Sequence, residues 1–127
     1  MGNTNSIQKI SFKQMQNFII NSNYIIINTL SNDNQTCLIL NTLSPDEEII
    51  EINKYLKNDK NHPLIIYGKN CIDESLAKKY TQLINLGFNN IHIYLGGLFE
   101  WLLLQDIYGK EEFPTTSIEY DILKFSP

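Results

Sequence analysis

The chain has 127 residues, the size of one domain, and 43% of them are apolar, enough for a packed core and too many for a disordered chain. Its formal charge is −4 and it contains no arginine. That argues against nucleic acid, which clustered cations recognise, and removes the bidentate clamp for phosphate or carboxylate.

No apolar run approaches the roughly 18–20 residues needed to span a bilayer. The start of the chain has no secretory pattern either, so a cytoplasmic protein is expected. Cys37 and Cys71 are too few for a disulfide framework and are expected to be reduced. His62 and His92 do not lie at zinc-ligand spacing from either cysteine, so no metal and no cofactor is expected.

Residues 1–9 are polar and read as a flexible leader. Ser11-Phe12-Lys13-Gln14 is a capping box, and Phe12, Met15, Phe18 and Ile19 follow at helical spacing until Asn21-Ser22-Asn23 stops the helix. Tyr24 to Asn28 is a short β-branched run, the pattern of a buried strand. A polar loop, Ser31 to Gln35, precedes the apolar run Cys37 to Leu40, which reads as a strand or a buried loop. Ser44-Pro45-Asp46-Glu47 starts a second helix, with Ser44 as N-cap, Pro45 at the first helical position and Glu47 closing the box. Ile49, Ile50, Ile52, Tyr55 and Leu56 are its expected apolar face.

Pro63 to Tyr67 is the next strand. The loop Gly68 to Asp73 leads into a helix with Leu76, Tyr80, Leu83 and Ile84 inward and Gly87 at C′. Ile91 to Tyr94 is a further strand, and Gly96-Gly97 turns into a last helix that carries Trp101 and Leu102 and closes at Gly109. Phe113, Ile118, Tyr120, Ile122, Leu123 and Phe125 make residues 110–127 too apolar for a solvated tail, so this extension is expected to pack on the domain. Short apolar strands alternating with helices predict an α/β domain with a mostly parallel central sheet and helices on both faces.

Leu64 to Tyr67, a loop, an amphipathic helix, Leu86-Gly87-Phe88, Ile91 to Leu95, Gly96-Gly97 and Trp101 together are similar to the second half of rhodanese-like domains. The opening Ile10-Ser11 with its helix, and the strand ending at Asn28, fit the family's start. The resemblance covers about residues 10–101 and implies a three-layer domain over 10–109. It also implies an active-site loop directly after Tyr67. In the family a nucleophilic cysteine opens that loop and carries a persulfide held by backbone N–H groups.

Here Gly68 stands in that place. The loop Gly68-Lys69-Asn70-Cys71-Ile72-Asp73-Glu74 is longer than usual, and the Asp and Arg that commonly follow the earlier strand are replaced by Asn28 and Leu30. Two readings of Cys71 follow. A thiol just before a helix N-terminus, near Lys69, could act as a shifted nucleophile. Asp73 and Glu74 oppose a thiolate, and an N-cap at Asp73 or Ser75 would occupy the N–H groups such chemistry needs, which favours a small, partly buried structural cysteine. A cysteine phosphatase on this fold requires an arginine and is excluded, and serine hydrolysis has no Gly-x-Ser-x-Gly elbow to support it. Trp101 is expected in the core, His92 as a hydrogen-bonded structural side chain and His62 in solvent.

Met1-Gly2-Asn3-Thr4-Asn5-Ser6 matches the N-myristoylation pattern, with Gly2 as acceptor. One such chain gives marginal, reversible membrane binding, and Lys9 and Lys13 are a thin basic patch. The expectation is a catalytically inactive rhodanese-like module that binds a partner protein and associates weakly with membranes through the lipid. The alternative is a sulfurtransferase or thiol-redox enzyme that uses Cys71.

Overall fold

The computed structural model describes residues 7–21 and 23–127; Gly2 and its acylation pattern lie outside them. The strands are β1 (Gln8–Ile10), β2 (Ile25–Asn28), β3 (Leu64–Tyr67) and β4 (Ile91–Tyr94). The helices are α1 (Phe12–Ile19), α2 (Pro45–Asn58), α3 (Glu74–Asn85) and α4 (Gly97–Tyr108). Both predicted capping boxes are formed: Ser11 with Gln14 and Ser44 with Glu47 each exchange side-chain and backbone hydrogen bonds.

The four strands form one sheet in the order β1-β4-β3-β2, and every pairing between them is parallel. The chain therefore enters at one edge, crosses under the sheet through α1 to the opposite edge, and then steps back strand by strand. Alternate residues of each strand point to opposite faces. Ile10, Ile26, Ile65, Tyr67 and Tyr94 meet α1 and α4 on one face, with Trp101 fully buried there. Ile25, Ile27, Leu64, Ile66, Ile91 and Ile93 meet α2 and α3 on the other. This is the expected α/β three-layer arrangement, with a core on each side of the sheet.

The structure departs from the sequence reading in several places. The leader drawn to residue 9 is shorter, because Gln8 and Lys9 pair with His92 and Ile93 as part of β1. Of the two readings left open for Cys37 to Leu40, the structure takes the loop: Cys37, Leu38 and Ile39 are buried, Leu40 is exposed, and the segment is tied to the tail by an antiparallel bridge between Ile39 and Thr115 and by backbone hydrogen bonds from Leu40 to Pro114 and from Thr116 to Leu38. Ile49 and Ile50 are exposed; α2 faces the core through Ile52, Tyr55 and Leu56. Apolar residues filled more of the helix circumference than the sheet could cover, so composition overstated its inner face. In the tail, Phe113 and Phe125 are buried and Ile122 packs partly against the core, while Ile118, Tyr120 and Leu123 face solvent. A short 3-10 turn, Ile122–Phe125, delivers Phe125 to the core.

Candidate functional site

In open parallel sheets, ligands meet the protein beyond the carboxyl ends of the strands. The loop from Gly68 to Asp73 leaves β3 at that end and runs against the first turn of α4. Leu98 and Phe99 donate their backbone N–H groups to the carbonyls of Gly68 and Lys69, at 3.0 and 2.9 Å. Two of the N–H groups that a helix start leaves unpaired are thereby satisfied by the loop itself. The approach is close enough to require glycine at Gly97: its φ is +68°, and a Cβ there would lie 2.6 Å from the Gly68 oxygen.

The loop is held by two side chains of its own. Buried Asn70 donates from Nδ2 to the Phe125 carbonyl at 2.8 Å and accepts from the Ile72 N–H through Oδ1 at 3.0 Å. Asp73 caps α3. Its Oδ2 accepts from the Lys69 N–H at 2.9 Å, and its Oδ1 accepts from the Ser75 N–H at 3.0 Å and the Ser75 hydroxyl at 2.7 Å. Burial by itself would raise the Asp73 pKa; the hydrogen bonds from Lys69 and Ser75 and the Lys69 charge outweigh it, and the carboxyl sits below its ordinary value. A Cβ on Gly68 would lie 2.6 Å from Asp73 Oδ2 and 2.9 Å from Thr29 Oγ1. The space in which a side chain at Gly68 would stand is thus occupied by the Asp73 carboxylate, which is anchored by a loop N–H.

Cys71 is exposed, at the tip of the turn, and its sulfur makes no hydrogen bond among the described residues. It is therefore not the partly buried structural cysteine of the sequence reading. Lys69, Ile72 and Glu74 are exposed around it. Cys37 is the buried cysteine: its Sγ lies 3.3 Å from the Ser117 carbonyl, and burial raises its pKa.

Tyr67, the last residue of β3 before the loop, is an anchor. Its hydroxyl accepts from the Ile39 N–H at 3.1 Å and lies 2.8 Å from Thr42 Oγ1, and burial raises its pKa strongly. Asn28 is likewise internal. Its amide exchanges two hydrogen bonds with Gln35, at 2.9 and 3.0 Å, and accepts from the Leu30 N–H at 3.0 Å. An amide pair thus holds the loop after β2. Gln35, Thr29 and Ser75 escaped the sequence reading as site residues; the only signal was Asn28, a polar residue ending the otherwise apolar strand β2. Thr29, Leu30, Ser31, Asn34, Lys69, Asp73 and Ser75 line an open cleft of about 330 Å³ beside the loop.

His62 is not solvated as expected: its ring stacks on Tyr55, with centroids 3.9 Å apart. His92 packs beside the Phe18 and Tyr24 rings and makes no side-chain hydrogen bond among the described residues; desolvation lowers its pKa. Trp101 is core, as expected, and its Nε1 donates to the Pro114 carbonyl at 3.1 Å. Among the described residues no group of three or more His, Cys, Asp or Glu side chains could hold a metal ion. No described helix is long and apolar enough to cross a membrane.

A parallel sheet between two helical layers, with a loop at the carboxyl end of β3 set against the start of α4, defines a single-sheet α/β domain. The chain belongs to the rhodanese-like domain family, whose model matches residues 18–104. No curated protein matches it. Among solved structures it is similar to the rhodanese-like domain of the Alr3790 protein from Anabaena sp., at 18% identity over 89% of this chain and 81% of that one, with a TM-score of 0.62. It is also similar to the single-domain sulfurtransferase RDL2 of Saccharomyces cerevisiae, at 19% identity over 84% and 98% of the two chains, with a TM-score of 0.56. A third likeness, to thiosulfate sulfurtransferase from Pseudomonas aeruginosa, has 17% identity and a TM-score of 0.61 over 94% of this chain and 23% of that one. At these identities the structural likeness concerns the fold.

Proposed function

We propose that the chain is a catalytically inactive rhodanese-like module that acts by binding a partner protein. One observation carries this reading: glycine occupies the family's nucleophile position, and the Asp73 carboxylate fills the space beside it. An anionic persulfide or sulfur donor entering there would meet a fixed negative charge, and the Lys69 N–H that would receive it is already engaged. Its test is treatment of the purified chain with thiosulfate and with 3-mercaptopyruvate, followed by intact mass. No gain of a sulfur atom is expected.

The exposure of Cys71 favours a second reading, in which its thiolate attacks the outer sulfur of thiosulfate, takes that sulfur as a persulfide and releases sulfite. A sulfur adduct that disappears in Cys71→Ala would replace the first reading with this one. The proposal extends to Gly2, outside the described residues, as a myristoyl acceptor giving weak, reversible membrane association; the Met-Gly-x-x-x-Ser pattern supports it. Labelling of wild type with an alkynyl fatty acid in a eukaryotic cell, lost in Gly2→Ala, is the expected outcome. Equal labelling of both would refute it.

A further inference from the structure

The end of the sheet opposite the Gly68 loop carries a pocket with no part in the site described above. Where the last turn of α1 passes into the start of β2, a cavity of about 410 Å³ opens, within the roughly 300–1,000 Å³ of small-molecule sites. Phe18 and Tyr24 wall it; their rings lie 4.3 Å apart, and each packs partly against the core. Buried Ile19 and Ile26 close its inner side, and Ile20, 83% exposed, and Leu40, 38% exposed, stand at its mouth.

No charged residue lines this pocket. Its polar side chains are Asn21 and Asn41, and both bond to the backbone that frames it: Asn21 Oδ1 accepts from the Asn23 N–H at 3.0 Å, and Asn41 Nδ2 donates to the Ile19 carbonyl at 2.6 Å. A charged ligand would lose its hydration there and find no counter-charge. An aliphatic chain loses only unfavourable contact with water.

The chain itself offers such a group within reach. Its first paired residue, Gln8, lies in register with His92, and the His92 ring packs on Phe18 and Tyr24, with centroids 5.7 and 6.3 Å away. From β1 to β2 the sheet spans three strand spacings, roughly 14 Å. Gly2 stands five residues before Ile7, and five extended residues cover roughly 17 Å before any length of an acyl chain is added. A formal charge of −4 and a thin basic patch give anionic leaflets little hold on the protein, so a bilayer competes weakly for the lipid. We infer that the pocket between the end of α1 and the start of β2 receives the myristoyl chain of Gly2 and thereby withholds it from membranes. This deepens the lipid reading of Gly2 and rests on it.

The full chain is co-expressed with an N-myristoyltransferase, its acylation is read by intact mass, and its amide spectrum is compared with that of Gly2→Ala. Shifts are expected at Ile20, Tyr24, Leu40 and Asn41. Sodium myristate added to the Gly2→Ala chain moves the same amides, which tests the pocket without the acylation. Ile20→Gln with Leu40→Gln abolishes these shifts in the acylated chain and raises its binding to phosphatidylcholine vesicles. A pocket that holds the lipid nine-tenths of the time lowers the apparent membrane affinity about ten-fold, and the variant regains that factor. Both side chains are exposed, so the urea midpoint stays near wild type; a variant that fails this control is replaced by Ile20→Gln alone. The inference is overturned if the acylated chain shows shifts elsewhere or none, or if the glutamine variant binds vesicles as the acylated wild type does. A dimer that Ile20→Gln dissolves would assign the pocket to a second copy and overturn it as well. Acylation without docking sinks this inference and leaves the lipid reading standing. A chain that the transferase leaves unmodified sinks the lipid reading and removes Gly2 as the occupant, even where free myristate binds.

Discussion

Asp73→Ala tests the central claim about the loop. The carboxylate caps α3 and ties Lys69 to Ser75 through three hydrogen bonds of 2.7–3.0 Å. Replacing an N-cap Asp by Ala costs about 0.5–2 kcal/mol. The second tie, to the Lys69 N–H, places this case in the upper half of that range, near 1.5 kcal/mol, because the partial exposure of the group keeps the cost below that of a buried charge. With a urea m-value of about 1.5 kcal/mol/M, the midpoint falls by about 1 M. Asp73→Asn keeps an acceptor of similar capping strength and loses less.

The pH dependence follows from the depressed pKa of Asp73. A group with a folded pKa below its unfolded value contributes stability that is present above the unfolded value, near 3.8, and lost as pH falls through the folded one. The difference between wild type and Asp73→Ala is therefore constant at neutral pH and shrinks as the solution is taken below about pH 4. Urea titrations at pH 7, 5, 4 and 3 measure it. A midpoint unchanged at pH 7 would refute the capping geometry, and a difference independent of pH would refute the charge-dependent part.

Three further outcomes are expected. Trp101→Ala destabilises by about 3–5 kcal/mol, since the ring is fully buried between Tyr94 and Phe113 and its N–H is bonded to the tail; a urea midpoint equal to wild type would contradict this. Asn70→Ala leaves the buried Phe125 carbonyl unpaired, costs about 1–3 kcal/mol, and speeds amide exchange selectively in Ile122–Phe125; uniform exchange across the chain would show that the loop does not hold the tail. Gly97→Ala forces a Cβ against the Gly68 carbonyl at a positive φ, so it destabilises by roughly 1–3 kcal/mol, checked by thermal melting.

Much of the fold was legible because its causes are local. The Ser11/Gln14 and Ser44/Glu47 boxes announce where α1 and α2 begin, Pro45 fits only a first helical turn, and the short, mostly apolar runs of β2, β3 and β4 specify strands covered on both faces. The departure from the family at Gly68 was equally visible, since it is a matter of which residue stands after Tyr67.

Strand β1 was not legible, because three residues at a sheet edge have no periodicity of their own and are strand only through pairing with β4. Nor could the sequence reveal that Gly68 faces Asp73, five residues on, that Asn70 reaches Phe125, or that the inner face of α2 omits Ile49 and Ile50. The sequence alone determined the four helices and strands β2 to β4, and that glycine follows Tyr67, through capping, periodicity and residue identity. The tertiary structure alone decided what fills the vacated loop and which apolar residues stay outside, because both depend on contacts between segments distant in the chain and on how much helix surface one four-stranded sheet can cover.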